Sequence, residues 1–267
     1  MSKTGIFLTG GGGIGAFHIG FFKALEEAGI GYDLVCGGSV GALVGGAATY
    51  LKSDEMLYRW NQLTLESILK IDSTKFKDIE GTRRNLKLIK ECFLSCCRRD
   101  PHLMIDVNDI RKQLYDLLDG DKIRESKVDF GVVTTELPSM KLKTFFKEDM
   151  ETNPLEYILA SIYLPILSRQ RIIDNKHYID LSRWRRYPLE MLKEKKCDKV
   201  FVVNIERENL RYLEKPILKN FNNGEEVTFI NYDPKPSILD FSREQSDRNF
   251  ENGYETTVKA LSKSLRH

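Results

Sequence analysis

The sequence predicts an α/β fold, a three-layer α/β/α domain around a mostly parallel central sheet. The first observation is the order of apolar segments at the start of the chain. Residues 4–9 and 32–36 have strand character, and residues 16–28 and 40–52 have helical spacing. The second observation is a glycine cluster at each of the two strand-to-helix junctions. A β-α-β-α order implies parallel strands joined by helices that cover the faces of the sheet.

The later segments continue this pattern to the end of the chain. Strands are predicted at residues 129–135, 141–146, 199–204 and 227–232, with two short ones within 171–180. Helices are predicted at residues 53–70, 83–97, 107–118, 153–163, 188–195 and 242–265. Ser53 is expected to be an N-cap and Gly120 to end a helix. Because no linker is long enough to separate domains, residues 1–267 are predicted to form a single domain.

Composition narrows the class of protein. A formal net charge of +2 does not favour nucleic-acid binding. Five cysteines, an odd number, with no secretory leader predict free thiols in the reducing cytoplasm. The long uncharged stretches Gly5 to Phe22 and Leu34 to Leu51 are rich in glycine, so they are interpreted as buried core rather than as membrane spans.

The second glycine cluster has the sequence Gly37-Gly38-Ser39-Val40-Gly41, a Gly-x-Ser-x-Gly motif between a strand and a helix. Such a motif favours a sharp turn that exposes a nucleophilic serine at a helix N-terminus. The turn brings the backbone so close to itself that the residues two positions either side must be small, as Gly37 and Gly41 are. The alternative is a glycine-rich turn with an incidental serine.

The first cluster, Gly10 to Gly15, fits Gly-x-Gly-x-x-Gly between a strand and a helix. One use of this pattern is dinucleotide binding, which requires an acidic residue at the end of the second strand. The nearest acid, Asp33, lies instead at the start of that strand. The other use is to present backbone N–H groups to an oxyanion, and the neighbouring serine turn favours it.

An activated serine needs a proton acceptor. His18 falls in a tightly packed helical segment, His102 in a polar loop and His267 at the terminus. His177 and Asp180 share a short predicted strand. Their odd offset sends the two side chains to opposite faces, so a Ser-His-Asp relay is disfavoured and either residue is left to act alone.

Together, these segments resemble the patatin-like phospholipase family. The resemblance runs from about Gly5 to Asp180, with a weaker continuation at Ile238 to Ser242 and at Gly253-Tyr254. It is carried by the Gly10–Gly15 loop, the following Ala16 to Gly20, the Gly37–Gly41 turn, Ala160-Ser161 through Pro165, and Tyr178 to Asp180.

The resemblance implies a function and a set of site residues. The family uses a Ser-Asp dyad without a catalytic histidine, which by position would be Ser39 as nucleophile and Asp180 as base. By position, Gly10, Gly11, Gly12 and Gly13 would supply the oxyanion hole. A serine acyl hydrolase of the lipase or phospholipase type, acting on lipid esters without a metal or organic cofactor, is therefore expected.

Two departures from the family pattern keep other functions open. Ile14 stands where the family often has Arg or Lys, and Leu181-Ser182 follows Asp180 where the family has two small residues. A catalytically weakened lipid-binding or regulatory protein is one alternative, and an acyltransferase that uses the same dyad is another. The basic run Arg183, Trp184, Arg185 and Arg186 is either a solvated turn or a peripheral contact with anionic lipid headgroups.

Overall fold

In the computed structural model, the described residues are 2–63, 107–163, 173–180, 189–205, 221, 224–233, 238 and 240–264. The helix predicted at residues 83–97 lies outside these ranges. Among the described residues, seven strands form a single sheet. They are β1 (Thr4–Leu8), β2 (Leu34–Gly38), β3 (Asp129–Leu137), β4 (Lys141–Phe146), β5 (His177–Ile179), β6 (Lys199–Asn204) and β7 (Glu226–Asn231).

The sheet is mostly parallel, as predicted. Its order is β4-β3-β2-β1-β6-β7, and β5 pairs with β3 beyond this path. Strands β3, β2, β1, β6 and β7 run parallel to one another, whereas β4 and β5 run antiparallel to β3. The carboxyl ends of β1 and β2 are therefore adjacent at the centre of the sheet. Crevices at such ends are where α/β proteins bind their ligands.

Eight α-helices surround the sheet in the described part of the chain. They are α1 (Ala16–Glu27), α2 (Val40–Ala48), α3 (Ser53–Trp60), α4 (Val107–Leu117), α5 (Gly120–Glu125), α6 (Pro154–Ile162), α7 (Glu190–Glu194) and α8 (Arg243–Ser264). Short 3₁₀ turns cover Gly12–Gly15 and Lys147–Asp149. None of the helices within these ranges is both long enough and apolar enough to span a membrane.

Both faces of the central strands are buried, which explains their nearly continuous apolar sequences. In β1, Ile6 and Leu8 belong to the larger core cluster, which also contains residues of α1, α2, α3 and α6. Phe7 points to the opposite face and packs in a smaller cluster with Met191 and Leu192 of α7. The two clusters lie on opposite faces of the sheet, where each joins the sheet to a layer of helices, as the predicted three-layer architecture requires.

Ser53 and Gly120 do not have the predicted roles at helix ends, because a tertiary contact or a cap decides where the helix begins. Ser53 is not an N-cap: α3 begins at Ser53, and its hydroxyl and N–H donate to the Glu26 carboxylate at 2.7 and 2.9 Å. Gly120 does not end a helix but begins α5. Asp119 caps that helix, because its side chain accepts from the N–H groups of Asp121 and Lys122.

The last helix lies against the first at close range. A Cβ atom on Gly20 of α1 would lie 2.7 Å from the Tyr254 nitrogen of α8. A Cβ atom on Gly253 of α8 would lie 3.0 Å from Phe17 Cα of α1. Each helix thus offers a glycine where the other approaches, and the C-terminal helix packs directly onto the helix that follows the first glycine cluster.

Candidate active site

Ser39 lies on a strained turn between β2 and α2. It has φ 54° and ψ −131° as the residue before the first turn of α2. Residues with a side chain rarely adopt this conformation, which costs on the order of 1–3 kcal/mol. The strain turns the Ser39 side chain out of the strand and places it at a helix N-terminus, where positive backbone dipoles favour a developing anion.

Close backbone contacts make the turn possible. A Cβ atom on Gly37 would lie 2.8 Å from the Ala42 nitrogen. A Cβ atom on Gly41 would lie 2.7 Å from the Leu8 carbonyl carbon, at the end of β1. Real Cβ atoms essentially never approach so closely. Gly37 and Gly41 therefore have the steric role that the motif predicts.

Asp180 follows β5 and meets the serine directly. Ser39 Oγ donates to Asp180 Oδ2 at 2.6 Å, a length typical of a hydroxyl bound to a carboxylate. The two side chains are buried, at 9% and 8% relative exposure, although 141 positions separate them in sequence. His177 lies at the other end of β5, where it pairs with Leu137. The structure thus brings together Ser39 and Asp180 as a hydrogen-bonded pair.

Strand β3 holds both halves of this pair. Ser161, at the end of α6, accepts a hydrogen bond from the Ser39 N–H at 2.7 Å and donates to Val133 O at 2.7 Å. The next strand residue, Thr134, has its hydroxyl 2.9 Å from Ala160 O and 3.0 Å from Ile179 O. One buried strand segment therefore fixes both the turn that carries Ser39 and the residue before Asp180.

A second backbone contact fixes Asp180 itself. Its N–H donates to Tyr163 O at 2.7 Å, just beyond the end of α6. Sequence reasoning singled out Ala160-Ser161 as part of a motif but gave neither residue a role. It missed Thr134 altogether, because a threonine within a strand carries no local signal of a long-range contact.

The first glycine cluster lies beside the serine turn. Val40 Cγ2, on the residue after Ser39, would lie 2.5 Å from a Cβ atom on Gly15. Gly12 has φ 54°, a conformation for which glycine is suited. The Gly13 N–H donates to Ile238 O at 2.8 Å. Among the described residues, no backbone acceptor binds the N–H groups of Gly10, Gly11 and Gly12.

His18 supports the strand that leads into this loop. It is fully buried, and its Nε2 lies 2.9 Å from Thr9 O. Burial lowers the pKa of His18 from its ordinary value near 6.5 to about 4, so the ring is neutral at pH 7. Since a carbonyl can only accept, the proton is on Nε2, and Nδ1 has no hydrogen-bond partner among the residues that the structure describes.

The sequence of the chain matches a known family over most of the residues that build this site. A model of the family described as patatin-like phospholipase matches residues 6–180, about two thirds of the chain. The chain belongs to the patatin-like phospholipase family. The matched segment contains Ser39, Asp180 and the Gly10–Gly13 loop.

Two curated proteins match the chain over a short segment. The chain is 57% identical over 43 residues to lysophospholipase nte1 of Emericella nidulans, and 58% identical over 44 residues to neuropathy target esterase sws of Drosophila melanogaster. Each match covers 16% of this chain and 3% of the relative. The chain therefore spans only a small part of the length of these curated relatives.

Solved structures share the fold of this chain. VipD from Legionella pneumophila superposes with a TM-score of 0.52 at 16% identity, over 98% of this chain and 67% of that one. Human GIVD cytosolic phospholipase A2 superposes with a TM-score of 0.54 at 8% identity, over 98% of this chain and 59% of that one. Both confirm the predicted α/β architecture.

The dinucleotide interpretation of the glycine loop finds no support in the structure. The Asp33 carboxylate accepts from the Thr4 N–H at 2.8 Å, at the amino end of the sheet. Strand β2 ends in Gly37 and Gly38 and so offers no acid for a ribose. Within the described ranges, no group of three or more His, Cys, Asp or Glu side chains is arranged to hold a metal ion.

Several residues singled out in the sequence fall outside the described residues. Leu181 and Ser182 are among them, as is the basic run Arg183, Trp184, Arg185 and Arg186. The consequence of the departure from the family pattern after Asp180, and the lipid contact of the basic run, therefore stay predictions.

Proposed function

We propose that this chain is a serine acyl hydrolase that cleaves lipid esters through a Ser39-Asp180 dyad. The 2.6 Å hydrogen bond from Ser39 Oγ to Asp180 Oδ2, on a strained turn at a helix N-terminus, is the observation that carries the proposal. It supplies a nucleophile with an adjacent proton acceptor. Membership in a phospholipase family supports lipid hydrolysis as the reaction class.

The reaction would proceed through an acyl-enzyme. Ser39 Oγ attacks the ester carbonyl as its proton passes to Asp180, and Asp180 then returns the proton to the leaving alcohol. The carbonyl oxygen, now an anion, is held by N–H groups of the Gly10–Gly12 segment, each donor being worth about 3–4 kcal/mol in comparable enzymes. Water activated by Asp180 then releases the acid. No metal ion or organic cofactor takes part in these steps.

The substrate class we propose is a phospholipid or lysophospholipid ester. The names of the matched relatives, a lysophospholipase and an esterase, support this choice.

We also propose that Arg183, Trp184, Arg185 and Arg186 contact anionic headgroups at a cytoplasmic membrane surface, at about 1 kcal/mol per arginine. Replacing the three arginines by glutamine should weaken sedimentation with phosphatidylserine vesicles and leave sedimentation with neutral vesicles unchanged.

The decisive test of the reaction is covalent labelling together with turnover. A fluorophosphonate probe should label the wild-type protein, and Ser39→Ala should abolish both labelling and hydrolysis of a chromogenic short-chain ester. The probe mimics the tetrahedral intermediate, so labelling requires an activated serine and oxyanion donors together. Unchanged circular dichroism of Ser39→Ala is the control for folding. Failure of the folded wild-type protein to react would favour the regulatory alternative.

A further inference from the structure

The glycine loop is held by a part of the chain that follows the family match. Gly13 is bound on both sides: its N–H donates to Ile238 O at 2.8 Å, and its carbonyl oxygen accepts from Asn249 Nδ2 at 3.3 Å. The family match ends at residue 180, so both partners come from the C-terminal part of the chain. This part includes helix α8, which packs against α1 through Gly20 and Gly253.

Asn249 is built into its place. Its side chain is buried at 1% relative exposure, and its Oδ1 accepts from Tyr232 OH at 2.8 Å and from Gln245 Nε2 at 2.9 Å. Tyr232 comes directly after β7, and Gln245 lies one turn earlier on α8. With both donors on the oxygen, the amide nitrogen is directed to Gly13 O. A buried amide held by three partners has little rotational freedom.

The loop also has no room to shift towards the C-terminal segment. A Cβ atom on Gly13 would lie 2.9 Å from the Asp240 carbonyl carbon, and one on Gly12 would lie 3.3 Å from the Ile238 carbonyl carbon. The backbone of the loop is thus in direct contact with these residues. Peptide planes are rigid. Fixing the Gly12-Gly13 and Gly13-Ile14 peptides therefore restricts the directions in which the preceding N–H groups, those of Gly11 and Gly12, can point.

We infer that Asn249 is a positioning residue for the oxyanion hole. It holds the Gly13 carbonyl so that the N–H groups of Gly11 and Gly12 stay directed at the carbonyl oxygen that Ser39 attacks. This role rests on the proposed hydrolase function. The same contacts leave fewer N–H groups for the oxyanion, because the Gly13 N–H is already bound to Ile238 O.

Asn249→Leu tests the role, since leucine fills a similar volume without the three hydrogen bonds. We expect kcat to fall about 10- to 100-fold with KM within about twofold of wild type, because the donors act on charge that develops only in the transition state. The rate of labelling by a fluorophosphonate should fall by a similar factor. Deuterium uptake at residues 9–17 should rise, because the loop has lost a constraint.

A matched control exists on the same helix. Thr257 is fully buried on α8, and its hydroxyl donates to Gly253 O at 2.7 Å within that helix. Thr257→Val should leave kcat and loop exchange unchanged. Asn249→Asp is a second variant that keeps acceptors for Tyr232 and Gln245 and replaces the donor to Gly13 by a carboxylate oxygen, which repels the Gly13 carbonyl. It should lower kcat in the same direction, which guards against misfolding of the leucine variant.

The results separate this inference from the hydrolase proposal. Wild-type kcat and loop exchange in folded Asn249→Leu and Asn249→Asp would overturn the inference, as would an equal loss in Thr257→Val. A folded wild-type protein without turnover or labelling would overturn the hydrolase proposal and, with it, the catalytic role of Asn249. In that case, unchanged deuterium uptake at residues 9–17 in Asn249→Leu would also show that Asn249 does not hold the loop.

Discussion

The backbone N–H of Ser39 and the carbonyl of Val133 are bridged by a single hydroxyl, that of Ser161. The first contact is 2.7 Å and the second is 2.7 Å, and all three groups are buried. The neighbouring Thr134 hydroxyl reaches Ile179 O, one residue before Asp180. Adjacent residues of one strand, β3, therefore hold both Ser39 and the residue before Asp180, although Ser39 and Asp180 are 141 positions apart in sequence.

Ser161→Ala should reduce activity and stability together. The change removes the hydroxyl that accepts from the buried Ser39 N–H, and an unsatisfied buried donor costs about 1–3 kcal/mol. We expect kcat to fall about tenfold at unchanged KM, because a displaced Ser39 attacks less well once substrate is bound. The measurement is steady-state kinetics at a temperature where circular dichroism shows a folded protein.

Ser53→Ala is the control for this prediction. It also removes a buried serine hydrogen bond, to Glu26, but on α3, away from the dyad. A comparable loss of stability with wild-type kcat is expected. If the two variants lose activity equally, Ser161 acts on the fold as a whole and not on the geometry of Ser39.

Asp180→Asn should abolish turnover almost as completely as Ser39→Ala, since a nucleophile and its base act as a unit. The amide keeps the size of the side chain but cannot take the proton from Ser39 Oγ. His177→Ala should change kcat less than about threefold, because the serine hydroxyl donates to Asp180. Initial rates with a chromogenic ester measure both variants. A histidine variant as inactive as the aspartate variant would show that the dyad assignment is wrong.

His18 should make the protein less stable in acid. Burial lowers the pKa of His18 from near 6.5 to about 4, so between these values the unfolded chain binds more protons than the folded one. The free energy of unfolding therefore rises with pH across this window. The contribution of neutral His18 to the free energy of unfolding is fully present above pH 6.5. It is lost as the pH falls towards 4, by an amount on the order of 3 kcal/mol.

Urea unfolding of the wild-type protein and of His18→Gln at pH 7 and pH 5 measures this effect. Glutamine can still donate to Thr9 O but does not titrate. The variant should lose less free energy of unfolding between the two pH values than the wild-type protein loses. Carboxylates titrate in both proteins and cancel in the comparison, so equal losses would contradict the burial of a neutral His18.

The sequence predicts the fold and the sharp turn at Ser39 for physical reasons that are local, whereas the choice of Asp180 over His177 comes from the family resemblance. The turn at Ser39 needs glycine at positions 37 and 41, and parallel strands buried on both faces need continuous apolar runs. Both requirements leave a pattern within a few residues. The same reasoning does not find Thr134 or Asn249, because each is a polar residue whose partners are far away in sequence.

Helix boundaries show the same limit. Ser53 has the residue type of an N-cap, but its hydroxyl is taken by Glu26 of α1. The sequence predicts one helix over residues 40–52, yet α2 ends at Ala48 and a new helix begins at Ser53. Propensity along the chain is a weak guide where a contact with another element decides the outcome.

The dihedral angles of Ser39 imply that a reactive hydroxyl at this position lowers the stability of the fold. A chain selected only for a robust fold would have glycine at position 39, since glycine adopts φ 54° and ψ −131° at little cost. Ser39→Gly should therefore produce a protein that melts at a higher temperature than the Ser39→Ala variant and is equally inert. Serine at this position lowers the stability of the fold, which is common where a site must hold a reactive group in an unfavourable conformation.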